Sequence, residues 1–213
     1  MISDAVAVRS LKDKVIVQEL HPQKNIIQFP PWFEGLEKLQ DILISRPDDN
    51  MILFIGAMNI PPNIEAATYF AEEVLPLIRE KIPNAIFYIV GAQPTSIVQS
   101  LSQLPGVVVT GEVPDLKPFY EKAAMVVSPL FTGGGIIVKT LNGLASGRPV
   151  VATLIGNSGT GAQDREDIYI VSSVPTQFAQ AVINILRDEH LWYRLAQNGR
   201  SFIKKIIIGL VLY

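Results

Sequence analysis

Residues 128–153 read SPLFTGGGIIVKTLNGLASGRPVVAT, and this stretch decides the fold. The apolar run before it, MVV at residues 125–127, is typical of a strand, and PVVAT at residues 149–153 is typical of another. Between them, three consecutive glycines lead into residues 137–146, whose apolar side chains recur at helical spacing. A strand, a glycine loop, a helix and a second strand make one unit of an α/β protein with a parallel sheet.

Apolar runs of the same kind occur on both sides of this stretch. They are continuous rather than alternating in polarity, which is typical of strands buried on both faces of a parallel sheet. The runs are MILFI (51–55), AIFYIV (85–90), VVV (107–109), MVV (125–127), PVVAT (149–153) and IYIV (168–171). Amphipathic segments predict covering helices near residues 95–104, 115–123, 137–146 and 175–187, and from about residue 189 to about 202. We therefore expect an α/β fold with a doubly wound, mainly parallel, Rossmann-like sheet.

A further helix is predicted after the first of these strands. Asn63 should cap its start, because an asparagine side chain can accept a hydrogen bond from a free N–H group there. Pro76 should kink the helix, and Pro83 should end it.

The first 50 residues follow a different pattern. VIVQ at residues 15–18 could form a strand, and PPWFEGLEKLQDILIS at residues 30–45 predicts a turn followed by a helix. This is too little chain for a second sheet domain. We expect three parts: residues 1–49, residues 50–200 as the Rossmann-like domain, and residues 201–213 as an apolar tail.

Composition excludes several classes of protein. The net charge of −2 argues against nucleic acid as a partner, since phosphate-backbone binders carry a basic excess. There is no cysteine, and His21 and His190 do not lie in any metal-ligand spacing, so we expect no metal site. No apolar run approaches the ~20 residues that span a bilayer, and the N-terminus does not resemble a signal peptide. A cytoplasmic location is the default expectation.

The candidate site lies where the strands end, because open α/β sheets bind ligands at the carboxyl ends of their strands. Gly56 and Gly111 follow two of the strands, and Gly133–Gly135 lead into a helix whose free N–H groups favour phosphate. Lys139 adds a positive charge near the helix start, and Asn142 is three residues further on the same face. The alternative is a flexible glycine loop with a surface lysine.

The order of these motifs resembles that of one enzyme family. GAMNIPPN (56–63), VGAQP (90–94), TGEVPD (110–115), SPL, GGG, KTL and ASGRPVVAT follow one another as in the C-terminal, donor-binding domain of group 1 glycosyltransferases. These are retaining enzymes of the two-Rossmann-domain (GT-B) type, and the resemblance covers residues 50–200. It implies the C-terminal half of a GT-B fold, a nucleotide-diphosphate sugar as substrate, and no metal or other cofactor.

The resemblance also implies roles for single residues. The Gly133–Gly135 loop matches the loop that meets the diphosphate and the sugar, and Lys139 matches a lysine that stabilises the leaving diphosphate. Gly56 and Gly111 belong to donor-binding motifs. Val113 matches a residue whose backbone meets the base, with ordinary packing as the alternative. Asn142 matches a glutamate that holds the ribose hydroxyls.

Departures from the family pattern weaken the expected site. The resembled family carries two glutamates eight residues apart, and their positions correspond to Gly134 and Asn142 in this chain. The amide of Asn142 is a weaker acceptor than a carboxylate. Ile136 and Ile137 stand where relatives carry Thr-Arg. Lys139 is therefore left as the main cation. The tail SFIKKIIIGLVLY (201–213) fits either a truncated or frame-shifted gene or a natural apolar helix over the sheet edge.

These observations favour a donor-binding domain of a glycosyltransferase of the hexosyltransferase type. It should be incomplete as an enzyme on its own, with an N-terminal domain or a second chain as its partner. A non-catalytic nucleotide-binding or regulatory module is one alternative, and a remnant of a longer gene is another. A nucleotide-sugar epimerase fits less well, because the carboxylates and histidines of its catalysis are not evident.

Overall fold

A computed structural model describes residues 5–8, 11–28 and 36–211. Its main sheet has six parallel strands, namely β3 (Met51–Ile55), β4 (Ile86–Val90), β5 (Val107–Gly111), β6 (Met125–Ser128), β7 (Val150–Ala152) and β8 (Tyr169–Ile170). Their order across the sheet is β5-β4-β3-β6-β7-β8. Each strand overlaps one of the six predicted runs. The predicted α/β fold with a doubly wound, parallel sheet is therefore confirmed.

Helices cover both faces of this sheet. They are α2 (Leu36–Gln40), α3 (Pro61–Tyr69), α4 (Leu75–Lys81), α5 (Ser96–Ser100), α6 (Lys117–Lys122), α7 (Val138–Ala145), α8 (Pro175–Arg187) and α9 (Glu189–Val211). A π-helical turn at Phe70–Val74 joins α3 to α4, and a 3₁₀ turn at Leu101–Gln103 follows α5. The helices predicted between residues 95 and 187 are confirmed, with ends that differ by a few residues.

The central strand β3 shows why the apolar runs are continuous. All five of its residues are buried. Ile52 and Phe54 belong to the core on one face of the sheet, whereas Met51, Leu53 and Ile55 belong to the core on the other. Because successive side chains of a strand point to opposite faces, a strand covered on both sides needs apolar residues throughout.

The helix after β3 starts differently from the prediction. It begins at Pro61 with Ile60 in the cap position and no side-chain cap, so the prediction that Asn63 caps the helix is wrong. Proline suits the first helical position because its ring fixes φ and its missing N–H would be unsatisfied there anyway. The π-helical turn lies just before Pro76, which cannot donate a backbone hydrogen bond. The helix ends at Lys81, two residues before Pro83, as predicted.

The N-terminal residues form a small unit of their own. Strands β1 (Ala5–Val8) and β2 (Asn25–Gln28) pair in parallel, and α1 (Leu11–Leu20) connects them. The strand predicted at residues 15–18 is wrong, because these residues lie within α1 and both Val15 and Ile16 are exposed. Periodicity cannot separate a strand from part of a helix over so short an apolar run. The helix predicted within residues 30–45 is confirmed as α2.

At the other end of the chain, α9 continues past the predicted end near residue 202 to Val211. Ile203 is buried, and Phe202 and Ile207 pack against the same core as α6 and α7. The apolar side chains of residues 208–213 lie outside the described part. Within residues 5–8, 11–28 and 36–211, no helix combines the length and apolar character needed to cross a bilayer.

Candidate functional site

The direction in which the chain adds strands reverses in the middle of the sheet, between β3 and β6. From β3, the chain builds outward to β4 and β5 on one side, and then returns to β6 on the other side of β3. At such a reversal the loops after the two central strands diverge and leave a crevice, where doubly wound proteins bind their ligands. Here the crevice lies between the loop after β3, which starts at Gly56, and the loop after β6, which contains Gly133–Gly135.

Glycines bring the strand ends close together at this edge. Gly56 N–H donates to the Val90 carbonyl at 3.1 Å, and Gly91 N–H donates to the Gly111 carbonyl at 3.0 Å. A Cβ at Gly91 would lie 1.8 Å from the Gly56 carbonyl oxygen, so no larger residue fits there. In front of Gly111 the space is open, since a Cβ there would meet no heavy atom within 4 Å.

The Gly133–Gly135 loop is exposed at the other side of the crevice. A Cβ at Gly134 or Gly135 would meet no atom within 4 Å, and Gly135 has φ +75°, a conformation that favours glycine. The loop is supported from behind by the segment after β7: Ile137 N–H donates to the Ser158 carbonyl at 3.1 Å, and Gly159 packs against the Gly135 carbonyl.

The loop leads directly into α7. Ile137 occupies the cap position and provides no side-chain hydrogen bond to the first turn. The first N–H groups of α7 receive no acceptor from the side chain of the cap residue, and they carry the positive end of the helix dipole where the loop after β6 enters the helix. An anion in the crevice would satisfy both.

Lys139 lies deeper than a surface lysine. Its side chain is half-buried, its ammonium group donates to Asn63 Oδ1, and Nζ lies 4.3 Å from the centre of the Phe54 ring. A Cβ at Gly56 would be 3.1 Å from Nζ, which places the ammonium at the end of β3. Burial lowers the pKa of Lys139 to about 7. The structure thus brings together three predicted elements, namely Gly56, the start of α7 and Lys139.

Asn142 lies one turn further along α7, half-buried, beside Tyr120. The Tyr120 hydroxyl is buried and has no partner at hydrogen-bonding geometry in the described part of the chain. Burial raises the pKa of this hydroxyl well above its usual value, and the neighbouring Asn142 side chain acts in the opposite direction. The Asn142 amide therefore lies beside a buried hydroxyl.

Val113 follows β5 and is half-buried against the core that contains Tyr120, together with Leu116 and Phe119. Its side chain therefore takes part in packing, which was the alternative interpretation of this residue. Packing of the side chain leaves the backbone of Val113 free for the predicted contact with a base, which stays a prediction.

Sequence reasoning missed two features of this edge. One is the contact of Asn63 with Lys139; the motif GAMNIPPN was recognised, but Asn63 was assigned to a cap. The other is a cavity of about 280 Å³ beyond β6, β7 and β8. Its lining residues are Leu130, Phe131, Thr153, Leu154, Ile155, Val171, Ser172 and Ser173. Its position follows from the sheet order, which no single motif specifies.

The profile of the family described as glycosyl transferases group 1 matches residues 49–188. The chain belongs to the group 1 glycosyl transferases. The family recognised from the motif order is thereby confirmed, and the matched residues include every element of the crevice. In the part of this glycosyl transferase chain that the structure describes, no group of three or more histidine, cysteine, aspartate or glutamate side chains is arranged to hold a metal ion.

A curated relative of this glycosyl transferase chain is an uncharacterized 44.6 kDa protein in the cps region of Klebsiella pneumoniae. The two are 24% identical over 162 residues, which cover 72% of this chain and 42% of the relative. The chain thus spans less than half the length of the curated relative that it matches.

Solved structures share the fold of this group 1 glycosyl transferase chain. TarM of S. aureus, crystallised with fondaparinux, α-GlcNAc-glycerol and UDP, superposes with a TM-score of 0.76 at 15% identity over 98% of this chain and 43% of TarM. HepE of Anabaena, in complex with UDP and glucose, gives 0.73 at 11% identity over 99% of this chain and 62% of HepE. The C-terminal domain of LpcC, a group 1 glycosyl transferase of Francisella tularensis, gives 0.60 at 19% identity over 81% of this chain and 93% of that domain.

Proposed function

We propose that this chain is the donor-binding part of a group 1 glycosyl transferase, which binds a nucleotide-diphosphate sugar for transfer with retention at the anomeric carbon. The observation that carries the proposal is the position of the Lys139 ammonium at the end of β3, while Lys139 itself belongs to the uncapped first turn of α7 that follows the exposed Gly133–Gly135 loop. A cation, free N–H groups and open backbone converge there on a space suited to a diphosphate.

The chemistry follows from the charge that develops on the leaving group. As the bond from the anomeric carbon to the diphosphate oxygen breaks and a bond to an acceptor oxygen forms, the diphosphate gains negative charge. The acceptor hydroxyl loses its proton, which the departing diphosphate oxygen can take up. Lys139 and the first turn of α7 would stabilise that charge, a form of catalysis worth several kcal/mol in a site sheltered from water. Retention itself is carried over from the family resemblance.

The other contacts of the donor are assigned along the same edge. The base would lie over the ends of β4 and β5, near Gly111 and the Val113 backbone, where the space is open. The ribose would lie near Asn142. No metal or other cofactor is proposed, because Lys139 can neutralise diphosphate charge directly; binding measured in EDTA should equal binding measured with Mg²⁺.

The acceptor wall belongs to the proposed partner. Relatives with the same domain are longer, with this chain covering 42% of the curated relative and 43% of TarM. Holding two reactants in register is worth about 7–11 kcal/mol, so a donor site without an acceptor site should not transfer sugar. An N-terminal domain or a second chain would supply the missing wall. A cytoplasmic location stays a prediction.

Binding is the direct test of the proposed function. Calorimetric titration of the chain with UDP, GDP and ADP should show weak binding of at least one of them, and Lys139→Met should abolish most of it. Lys204→Met, which changes an exposed lysine of α9, is the matched control. Absence of binding at millimolar nucleotide would contradict the proposal.

A second candidate is a nucleotide-binding module without catalysis. It is favoured by Ile136 and Ile137, which stand where relatives carry a cation, and by the amide of Asn142 in place of a carboxylate. Nucleotide binding alone does not separate the two candidates. Incubation with a panel of nucleotide sugars does, because a transferase site should release nucleotide slowly by hydrolysis, whereas a binding module should release none.

A further inference from the structure

The side chain of Asn63 contacts two groups at the end of β3. Its Nδ2 donates to the Ala57 carbonyl at 2.9 Å, and its Oδ1 accepts from the Lys139 ammonium. The orientation of the amide is fixed by chemistry, since a carbonyl can only accept and an ammonium can only donate. Asn63 is thus held by the backbone on one side and holds Lys139 on the other.

Neighbouring groups confine the Lys139 ammonium to a small space. The face of the Phe54 ring lies on one side, 4.3 Å from Nζ, and contributes a weak cation–π attraction. Gly56 lies on another side, where a Cβ would be 2.7 Å from Asn63 Nδ2 and 3.1 Å from Lys139 Nζ. Only glycine at this position leaves room for the asparagine and the lysine together.

Among the residues that the structure describes, no acidic side chain forms an ion pair with this ammonium. Lys139 is the single charged residue between Met125 and Gly147, and residues 56–64 and 149–161 are uncharged. On α3, the acidic residue is Glu65, which is exposed. Structural lysines that are taken out of water are normally paired with a carboxylate, because an unpaired charge is costly to bury. Lys139 has an amide and an aromatic ring instead.

We propose that Asn63 is the positioning residue for Lys139, holding its ammonium group at the end of β3 without neutralising it, so that the diphosphate of the donor becomes its first anionic partner. The ligand in this statement rests on the proposed function; the contact itself does not. An aspartate at position 63 would hold the lysine equally well but would compete with the diphosphate for its charge.

Two substitutions distinguish positioning of the Lys139 ammonium from neutralisation of its charge. Asn63→Asp keeps the size of the side chain and adds a charge, whereas Asn63→Ala removes the contact. Asn84→Ala is the matched control. Asn84 is an exposed asparagine in the turn before β4, at the opposite end of the strands, and its side chain accepts a hydrogen bond from the side chain of Asn50. Thermal unfolding of each variant establishes that it is folded.

The first readout is the pKa of Lys139 without ligand, measured by NMR of ¹³C-labelled lysine with the signal assigned from Lys139→Met. Asn63→Asp should raise this pKa by more than one unit, because a carboxylate favours the charged lysine. Asn63→Ala should lower it, and Asn84→Ala should leave it unchanged. An unchanged pKa in Asn63→Asp and Asn63→Ala would overturn the proposal.

The second readout is the affinity for UDP and for uridine. Asn63→Asp and Asn63→Ala should each weaken UDP binding about tenfold, with little effect on uridine. Equal UDP affinity in wild type and both variants would overturn the positioning role and leave the proposed function standing. If none of UDP, GDP and ADP binds the wild type while Asn63→Asp still raises the lysine pKa, the contact is supported and the proposed function, with the ligand assigned to Lys139, is overturned.

Discussion

The Arg148 guanidinium donates a hydrogen bond of 2.6 Å to the carbonyl of Ser45, 103 residues earlier in the chain. Arg148 is 1% exposed and also donates to the carbonyls of Leu43, Tyr120 and Glu121. It therefore fastens the segment that enters β3 to the helix layer at the amino end of the sheet. This arrangement explains an arginine within the motif ASGRPVVAT, away from the candidate site.

Arg148→Met should lower the free energy of unfolding by about 3 kcal/mol or more, because four buried or partly buried carbonyl groups lose a donor at up to about 1–3 kcal/mol each. Arg148→Lys should recover only part of the loss, since an ammonium cannot reach the same carbonyls with a planar fork. Urea denaturation measures both. Arg194→Met, which changes an exposed arginine of α9, is the control, and a loss below 1 kcal/mol in Arg148→Met would contradict the role given to Arg148.

Gly91→Ala should destabilise the chain by about 3 kcal/mol or more, because the new Cβ would collide with the Gly56 carbonyl oxygen. Gly111→Ala is the matched control. It also has positive φ, at +72°, but a Cβ there meets open space, so it should cost only about 1 kcal/mol of backbone strain. Equal losses of unfolding free energy in the two variants would show that the close approach at Gly91 can relax.

Binding of UDP should weaken as the pH rises from 7 to 9. The pKa of Lys139 is lowered to about 7 in the free chain, so the ammonium deprotonates over this range and a bound diphosphate must restore the proton. The affinity should fall by up to about tenfold per pH unit, whereas Lys139→Met should show no fall. Calorimetry at each pH tests this, and parallel profiles for the two proteins would refute it.

The same lysine should make the free chain more stable at higher pH. Between about pH 7 and the ordinary lysine value of 10.5, Lys139 is neutral when folded and protonated when unfolded. The unfolded state then binds more protons, so the free energy of unfolding rises with pH through this window. Lys139→Met should remove this rise in the free energy of unfolding. Urea denaturation of both proteins from pH 7 to 10 measures it. Identical slopes for wild type and variant would show that Lys139 keeps an ordinary pKa.

Asn142→Glu should tighten UDP binding about fivefold if position 142 meets the ribose, because a charged acceptor replaces a neutral one. The neighbouring Tyr120 hydroxyl gives the glutamate a donor, which helps to orient it. Asn142→Gln provides the uncharged control, and Asn142→Glu combined with Tyr120→Phe tests the orienting role. Unchanged or weaker UDP affinity in Asn142→Glu would remove Asn142 from the proposed site.

Much of the fold was predictable because each buried strand carries its own signal. β3 reads as an unbroken apolar run since both of its faces are covered, and that property is local. The strand prediction for residues 15–18 was wrong for the converse reason, because three apolar residues in a row also fit a strand. The ten-residue helix α1 that contains them becomes evident only together with the paired strands β1 and β2.

The parts of the site that the backbone forms were predictable from the sequence. Gly56 and Gly133–Gly135 follow strands that the sequence reveals, and the start of α7 follows the loop. Side-chain partners across the crevice were not predictable, because Asn63 and Lys139 are 76 residues apart and meet only through the order of strands β3 and β6. Asn63 therefore looked like a helix cap, which is the commoner local use of an asparagine.

The support of the Gly133–Gly135 loop by Ser158 and Gly159 has a consequence for motion. The loop has little packing of its own, so its shape depends on a segment that lies beyond the next strand. Opening either segment breaks the hydrogen bond between Ile137 and Ser158, so the two should fluctuate as one cooperative unit. The amide protons of both segments should then exchange with deuterium at a common rate. An anion that orders the Gly133–Gly135 loop will also slow exchange at Ser158 and Gly159.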